Sequence, residues 1–293
     1  MGEKPARESM AEALRVPSGK VDLSDYDPAA TPTIEDSRKE GEKALAGMAE
    51  ELLELQTRLF ASKESTSPRQ LLLVLQGMDT SGKGGVLKHT VGLMDPIGLK
   101  VTSFKAPSAE ERAHDFLWRI EKAVPPAGFV GVFDRSHYED VLIQRVRSFA
   151  PAQEIERRYG AINDFEKRLV DEGTVVLKCM LHISPEVQKE RLQERLEDPT
   201  KHWKYNPGDL DERQLWAAYT EAYEIALERC NTDHAPWFIV PSDKKWFRNL
   251  AIAKLIEQTL TNLDLDWPVP EGLDLAAEKA RLAADTITTE SLT

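Results

Sequence analysis

Leu71 to Gly85 read LLLVLQGMDTSGKGG. An apolar run that suits a buried strand passes directly into Gly77, Gly82 and Lys83, spaced G-x-x-x-x-G-K, the frame of a phosphate-binding loop between a strand and a helix. Glycines in such a loop let successive N–H groups turn inward, and the helix that follows adds the positive end of its dipole. The candidate phosphate contacts are therefore Gly77, Thr80, Ser81, Gly82, Lys83, Gly84 and Gly85, with Lys88 one turn further on. Two positions depart from a nucleotide-binding loop. Gly84 stands where Ser or Thr normally offers magnesium a hydroxyl, and Asp79 places a carboxylate among the anions. A carboxylate there is repulsive unless a cation intervenes, so Asp79 reads as a metal ligand, direct or through water. The plainer alternative is an acid favoured near a helix amino terminus.

Outward from the loop, apolar strands alternate with amphipathic helices. Strands are expected at Leu71 to Gln76, Val101 to Phe104, Phe129 to Phe133, Val175 to Ile183 and Trp237 to Val240. Helices are expected from about Gly84, Ser108, Glu154, Pro185, Asp209 and Lys245. The alternation predicts an α/β fold, a three-layer α/β/α sandwich on a five-stranded parallel sheet with right-handed crossovers. Residues 63–263 would form this domain, with a helical lid at about 191–213. Residues 1–62 read as an arm and helix packing on the core: an irregular arm to about Thr33, then a helix with Leu45, Met48, Leu52, Leu55 and Leu59 on the face that packs. Residues 264–293 read as a peripheral helix or loose tail.

Ligands in parallel sheets gather at the carboxyl ends of strands. The third strand ends there in FDRSHYED, whose Asp134 is a second candidate for metal and whose Arg135 could neutralise a moving phosphoryl group; a strand-end salt bridge is the alternative. His137 is read as a packing or hydrogen-bonding residue rather than a nucleophile, and Arg145 and Arg147 suit a solvated helix face equally well. Between the last two strands, RLQERLEDPTKHWKYNPGDLDERQLW places Arg191 and Arg195 four residues apart on a helix. A basic interruption with Lys201 and Lys204 follows, then a restart at Asp209, where D-L-D-E has the form of a capping box. Helix, basic loop and helix here is the place of a phosphate-closing lid, although a helical hairpin with Glu–Arg pairs would share the pattern. On the restarted helix Leu215, Trp216, Tyr219, Tyr223 and Ala226 read as core rather than as a base-stacking platform.

The 293 residues, 41% of them hydrophobic, can bury a substantial core. A net charge of -12 argues against general nucleic-acid binding. The charge is uneven: Lys83 to Arg213 holds 21 basic and 22 acidic residues, whereas the rest holds 17 basic against 28 acidic. The central half can thus line a positive groove in an acidic molecule; the plainer alternative is that acidic ends keep the protein dispersed. Cys179 and Cys230 form no metal or disulfide pattern and fit a reducing compartment. The amino terminus carries no apolar signal core, and no stretch reaches the about 18 apolar residues of a membrane span, so a cytoplasmic protein without membrane partners is expected.

GMDTSGKGG, FDRSHYEDVL, RLEDPTKHWKYNPGDLDERQLW and HAPWFIVPSDKKWFRNLAIAKLI, in this order and preceded by GKVDLSDYDP, resemble the P-loop polyphosphate kinases of the second type over about Gly19 to Leu263. The resemblance implies phosphoryl transfer between inorganic polyphosphate and nucleoside mono- or diphosphates, Mg2+ or Mn2+ as cofactor, and a homodimer or homotetramer. By motif, Asp79, Lys83, Asp134, Arg135 and Arg195 correspond to residues of metal binding and transfer, Asp79 and Asp134 being the metal pair. An ATP-dependent kinase of a nucleoside monophosphate or small molecule is the nearest alternative on this fold, with Gly84 and Asp79 against it. A nucleotide-sensing protein without catalysis is the alternative from another class.

Overall fold

In the computed structural model, which describes residues 8–285, five parallel strands lie in the order β2-β3-β1-β4-β5. They are β1 (Gln70–Gln76), β2 (Leu99–Ser103), β3 (Val130–Asp134), β4 (Thr174–His182) and β5 (Trp237–Pro241). Each matches an expected strand to within two residues at either end. The three central strands are buried nearly throughout, as a sheet covered on both faces requires, whereas edge strand β2 is half-exposed.

Alternate residues of the strands feed two cores. Leu71, Leu73 and Leu75 pack with α1 (Met10–Leu14), α2 (Arg38–Gly47), α3 (Ala49–Ala61), α4 (Lys83–His89) and α11 (Lys245–Thr261). Leu72 and Val74 face α5 (Trp118–Ala123), α7 (Ala152–Asp171) and α10 (Trp216–Arg229). The helices α6 (Ile143–Val146), α8 (Pro185–Glu197), α9 (Gly208–Arg213) and α12 (Leu275–Ala283) complete the set. Among the described residues no helix is long and apolar enough to cross a membrane.

At the two ends one expectation changes, the start of the amino-terminal helix. The arm, irregular for most of its length, is packed: Met10, Leu14, Val16, Val21 and Leu23 are buried, Ser9 and Glu12 form a capping box, and Val16 N–H donates to the Trp237 carbonyl. The helix expected from Thr33 starts at Arg38, because Ser37 Oγ accepts from Glu40 N–H, and it breaks at Met48, after Gly47. The tail carries α12, while residues 286–293, like 1–7 of the arm, lie outside the described residues.

Candidate active site

β1 and β3 are neighbours with Leu75 opposite Asp134, so the loop after β1 and the segment after β3 emerge side by side. Arg135 N–H donates to the Leu75 carbonyl at 3.1 Å, and this bond holds Arg135 in the left-handed region at φ 64°. Its guanidinium then reaches Asp79 Oδ1 at 2.9 Å. Thr80 shares the left-handed conformation at φ 63°, uncommon for a β-branched residue and a sign of a loop shaped for function.

The loop has a front and a back. In front, no backbone carbonyl of the described residues accepts from the N–H groups of Gly82, Lys83 or Gly84. The buried hydroxyls Thr80 Oγ1 and Ser81 Oγ also have no partner. Lys83 Nζ donates to the carbonyls of Gly77, at 2.7 Å, and Met78, at 3.4 Å. Burial depresses the Lys83 pKa more than Asp79 raises it. Donors left open beside a desolvated ammonium are what a phosphate group would complete.

Behind the loop lie two buried guanidiniums. Arg191 donates to the carbonyls of Thr80, Ser81, Ser242 and Asp243 at 2.6 to 3.1 Å, so this expected phosphate contact is committed to backbone. Arg248 donates to Ser81 and to Asn249 Oδ1. Gly82 has φ +110°, and a Cβ there would stand 1.8 Å from Arg248 Nη1. Gly84 is different: a Cβ there would meet nothing within 4 Å.

In front of the loop a cavity of about 200 Å³ is lined by Asp79, Arg135, Glu139, Asp209, Arg213, Trp216 and Tyr223, among others. Glu139 is held above the ordinary carboxyl range by burial, against the pull of Arg135 and Lys83. Asp209 is raised by burial and then by the Asp79 charge. The capping box expected at D-L-D-E is not formed. Asp209 Oδ2 instead accepts from Arg195 at 3.0 Å, and α9 starts after Pro207 with no side-chain cap, because an ion pair beside the cavity outcompetes a local cap. The aromatic face of α10 is also more than core, since Trp216 and Tyr219 line the cavity and the Tyr223 hydroxyl accepts from Gly77 N–H at 3.1 Å.

Lys201 and Lys204, expected as phosphate contacts, do not line this cavity. Lys201 pairs with Glu194 and Asp198, Lys204 lies over the Trp203 ring, and Trp203 is 79% exposed. Lys88 is exposed on α4. Arg145 and Arg147 pair with Glu221 and Glu212.

Asp134 accepts from Ser103 Oγ at 3.3 Å, and Asp79 from Arg135, which leaves each carboxylate one oxygen without a protein donor. No group of three metal-ligating side chains occurs among the described residues. Two hard oxygen donors beside open phosphate donors fit a cation that takes its other ligands from phosphate and water, the usual habit of magnesium.

Sequence reasoning missed Asp209, Glu139 and Arg248. Only Glu139 carried a signal, its place in the dense polar run after Asp134.

The family model for polyphosphate kinase 2 matches residues 35–266. An AMP/ADP-polyphosphate phosphotransferase of Meiothermus ruber is 42% identical over 255 residues, 87% of this chain and 94% of its own. An ADP-polyphosphate phosphotransferase of Rhodopseudomonas palustris is 37% identical over 87% of this chain and 91% of its own. The crystal structure of polyphosphate kinase 2 from Arthrobacter aurescens superposes with a TM-score of 0.92 at 52% identity, covering 95% of this chain and 98% of that one. The chain belongs to the polyphosphate kinase 2 family.

Proposed function

We propose that this polyphosphate kinase 2 family member transfers phosphoryl groups between inorganic polyphosphate and nucleoside mono- or diphosphates, adenine nucleotides first. The observation that carries the reading is the set of open donors at Gly82, Lys83, Gly84, Thr80 and Ser81, on a loop whose first residues, Gly77 to Asp79, line a cavity together with Arg135 and Asp209. A single loop lined this way accommodates a phosphate chain without any demand for a base or ribose. Gly84 in place of a hydroxyl further separates it from an ATP cradle.

Asp79 and Asp134 would hold Mg2+ or Mn2+, which when bound supplies charge neutralisation between donor and acceptor phosphates. The loop amides and Lys83 grip the terminal phosphoryl group of the chain. A phosphate oxygen of the nucleotide attacks its phosphorus in line. One P–O bond forms to the nucleotide as the bridging P–O bond breaks, and the chain leaves one phosphate shorter with its own oxygen anion. An anionic phosphate oxygen is already nucleophilic near neutral pH, so no general base is needed and catalysis rests on alignment. Arg135 faces charge developing on the transferred group, and Arg195 comes down with the lid once Asp209 releases it. Lys88, Lys201 and Lys204 extend the positive path for the polyanion. The family likeness supports a homo-oligomer, and the two buried, unbridged cysteines suit the cytoplasm.

Purified protein given long-chain polyphosphate and Mg2+ with AMP, ADP, GMP or GDP in separate reactions, without ATP, should form the next higher nucleotide, read by ion-exchange chromatography. No product with any acceptor would refute the reading.

A further inference from the structure

Arg248 lies on α11, behind the phosphate loop and away from the cavity, and is 3% exposed. Among the described residues no carboxylate lies within ion-pair distance of it; its partners are the Ser81 carbonyl and Asn249 Oδ1, both neutral. The charge that acts on it is another cation, Arg191, itself 7% exposed and bound to four backbone carbonyls. Burial and the Arg191 charge both depress the Arg248 pKa. A buried cation without a counter-charge is costly, and folds retain one where something else offsets it.

The geometry identifies the offset. In a trans peptide the C=O and the following N–H point in opposite directions. Arg191 and Arg248 hold the Ser81 carbonyl toward the back, so the Gly82 N–H is turned toward the front, where it has no protein acceptor. Gly82 and Gly85 carry no side chain where the Arg248 fork presses against them: a Cβ would stand 1.8 Å and 2.5 Å from its nitrogens.

We infer that Arg248, with Arg191 beside it, is a positioning residue that turns the loop amides toward the phosphate chain from behind and whose unpaired charge is balanced only when phosphate occupies the loop. The inference rests on the polyphosphate reading and deepens it. Arg248 touches no substrate. It makes the free enzyme less comfortable than the loaded one, so phosphate binding and folding stability are linked through one side chain.

Arg248→Met keeps the volume and removes the charge. The test compares thermal unfolding with and without excess tripolyphosphate and Mg2+, and steady-state kinetics with long-chain polyphosphate, for wild type and Arg248→Met. The expected result is a melting temperature of the free variant equal to or above wild type and a tripolyphosphate-induced rise cut to less than half. KM for polyphosphate should increase at least about tenfold with a smaller change in kcat. Arg248→Lys should recover part of the KM. A merely structural strut gives the opposite pattern: a lowered melting temperature in the free variant with the induced rise and KM unchanged, and this would overturn the inference. Should Arg248→Met fail to fold, Arg248→Gln, which can still donate to the Ser81 carbonyl, carries the same comparison with the same outcomes. If wild type itself shows no tripolyphosphate-induced rise and no turnover, the activity reading falls, and the inference with it. A full rise in both proteins removes the inference alone.

Discussion

The proposed phosphate loop after β1 and the proposed lid between β4 and β5 face each other across one cavity and are held in opposite ways. The loop is fixed by groups that cannot exchange: its carbonyls are taken by Arg191 and Arg248, Gly77 N–H by the Tyr223 hydroxyl, and its glycines by the close approach of a guanidinium. The lid is fixed by side-chain ion pairs that a polyanion can replace, Arg195 with Asp209, Lys201 with Glu194 and Arg147 with Glu212. Preorganised dipoles stabilise a transition state without reorganisation, whereas a roof must open to admit a chain. One fold supplies both by burying the first set and half-exposing the second.

The comparison breaks most severely if the acids between floor and roof prove dispensable. Asp79→Asn and Asp134→Asn should each lower kcat by about 10³-fold or more, on the order of 4 kcal/mol of transition-state stabilisation. The melting temperature should stay within about 2 °C of wild type. Arg195→Ala should cost about 10²-fold, nearer the value of one electrostatic donor, since the lid can close without it. Single-turnover assays beside thermal melts check both. Retained turnover in either Asn variant removes that acid from the metal pair.

A second contrast lies beneath the loop. Lys178 on β4 donates to Glu166 Oε2 at 2.6 Å, to the Tyr138 hydroxyl and to the Cys230 carbonyl, while Glu166 Oε1 accepts from Tyr138 and lies 3.1 Å from His137 Nε2, all fully buried. This network anchors the segment that follows Asp134 and Arg135. Removing one partner of a buried pair leaves an uncompensated charge, so Lys178→Met should cost about 3–5 kcal/mol in urea unfolding. No lid ion pair, each being partly exposed, should exceed about 1 kcal/mol in the same assay.

The network also sets a pH signature that the lid lacks. Burial holds the His137 pKa below its ordinary value, against the pull of Glu166, so the folded protein keeps the imidazole neutral while the unfolded chain takes up a proton below about 6.5. Stability from this residue is complete above that pH and falls as pH drops through it, by up to about 1.4 kcal/mol per pH unit. Glu166, which Lys178 and His137 hold below the usual range despite burial, adds its loss only under about pH 4.5. Urea midpoints at pH 7.5 and 5.5 should differ in wild type, and His137→Phe should flatten that difference even if its absolute stability is lower. An undiminished slope in the variant would assign the titration elsewhere.

The same division between backbone and side chain explains what was legible in the sequence. Four of the strands could be read because a doubly covered parallel strand is an apolar run bounded by turn residues, a local pattern, and half-exposed β2 through its β-branched Val101 and Thr102. Lys83 and Asp79 were legible because loop spacing encodes them. Asp209 was not, since D-L-D-E describes a helix cap equally well and only the fold brings Arg195 within reach. Arg248 sits amid apolar α11 and gave no sign that its partner is a carbonyl 167 residues earlier. The arm reads as irregular for a related reason: its buried residues follow no single period and divide between the two cores, Met10 and Leu14 in one and Val16, Val21 and Leu23 in the other.

The smallest expected effect is also the sharpest test of how the loop is built, because it lies between two neighbouring glycines. Gly82→Ala puts a Cβ against Arg248 at a left-handed φ and should destabilise by about 1–3 kcal/mol, with weakened phosphate binding. Gly84 lies in the first turn of α4, exposed, with free space around it. Gly84→Ala should therefore stabilise by about 0.5–1 kcal/mol, since alanine loses less backbone freedom than glycine on entering a helix. If polyphosphate turnover survives that change, Gly84 is only the absence of a hydroxyl. If turnover falls while stability rises, the missing side chain serves the approach of the phosphate chain to the Gly84 N–H, and the front of the loop is as exacting as its back.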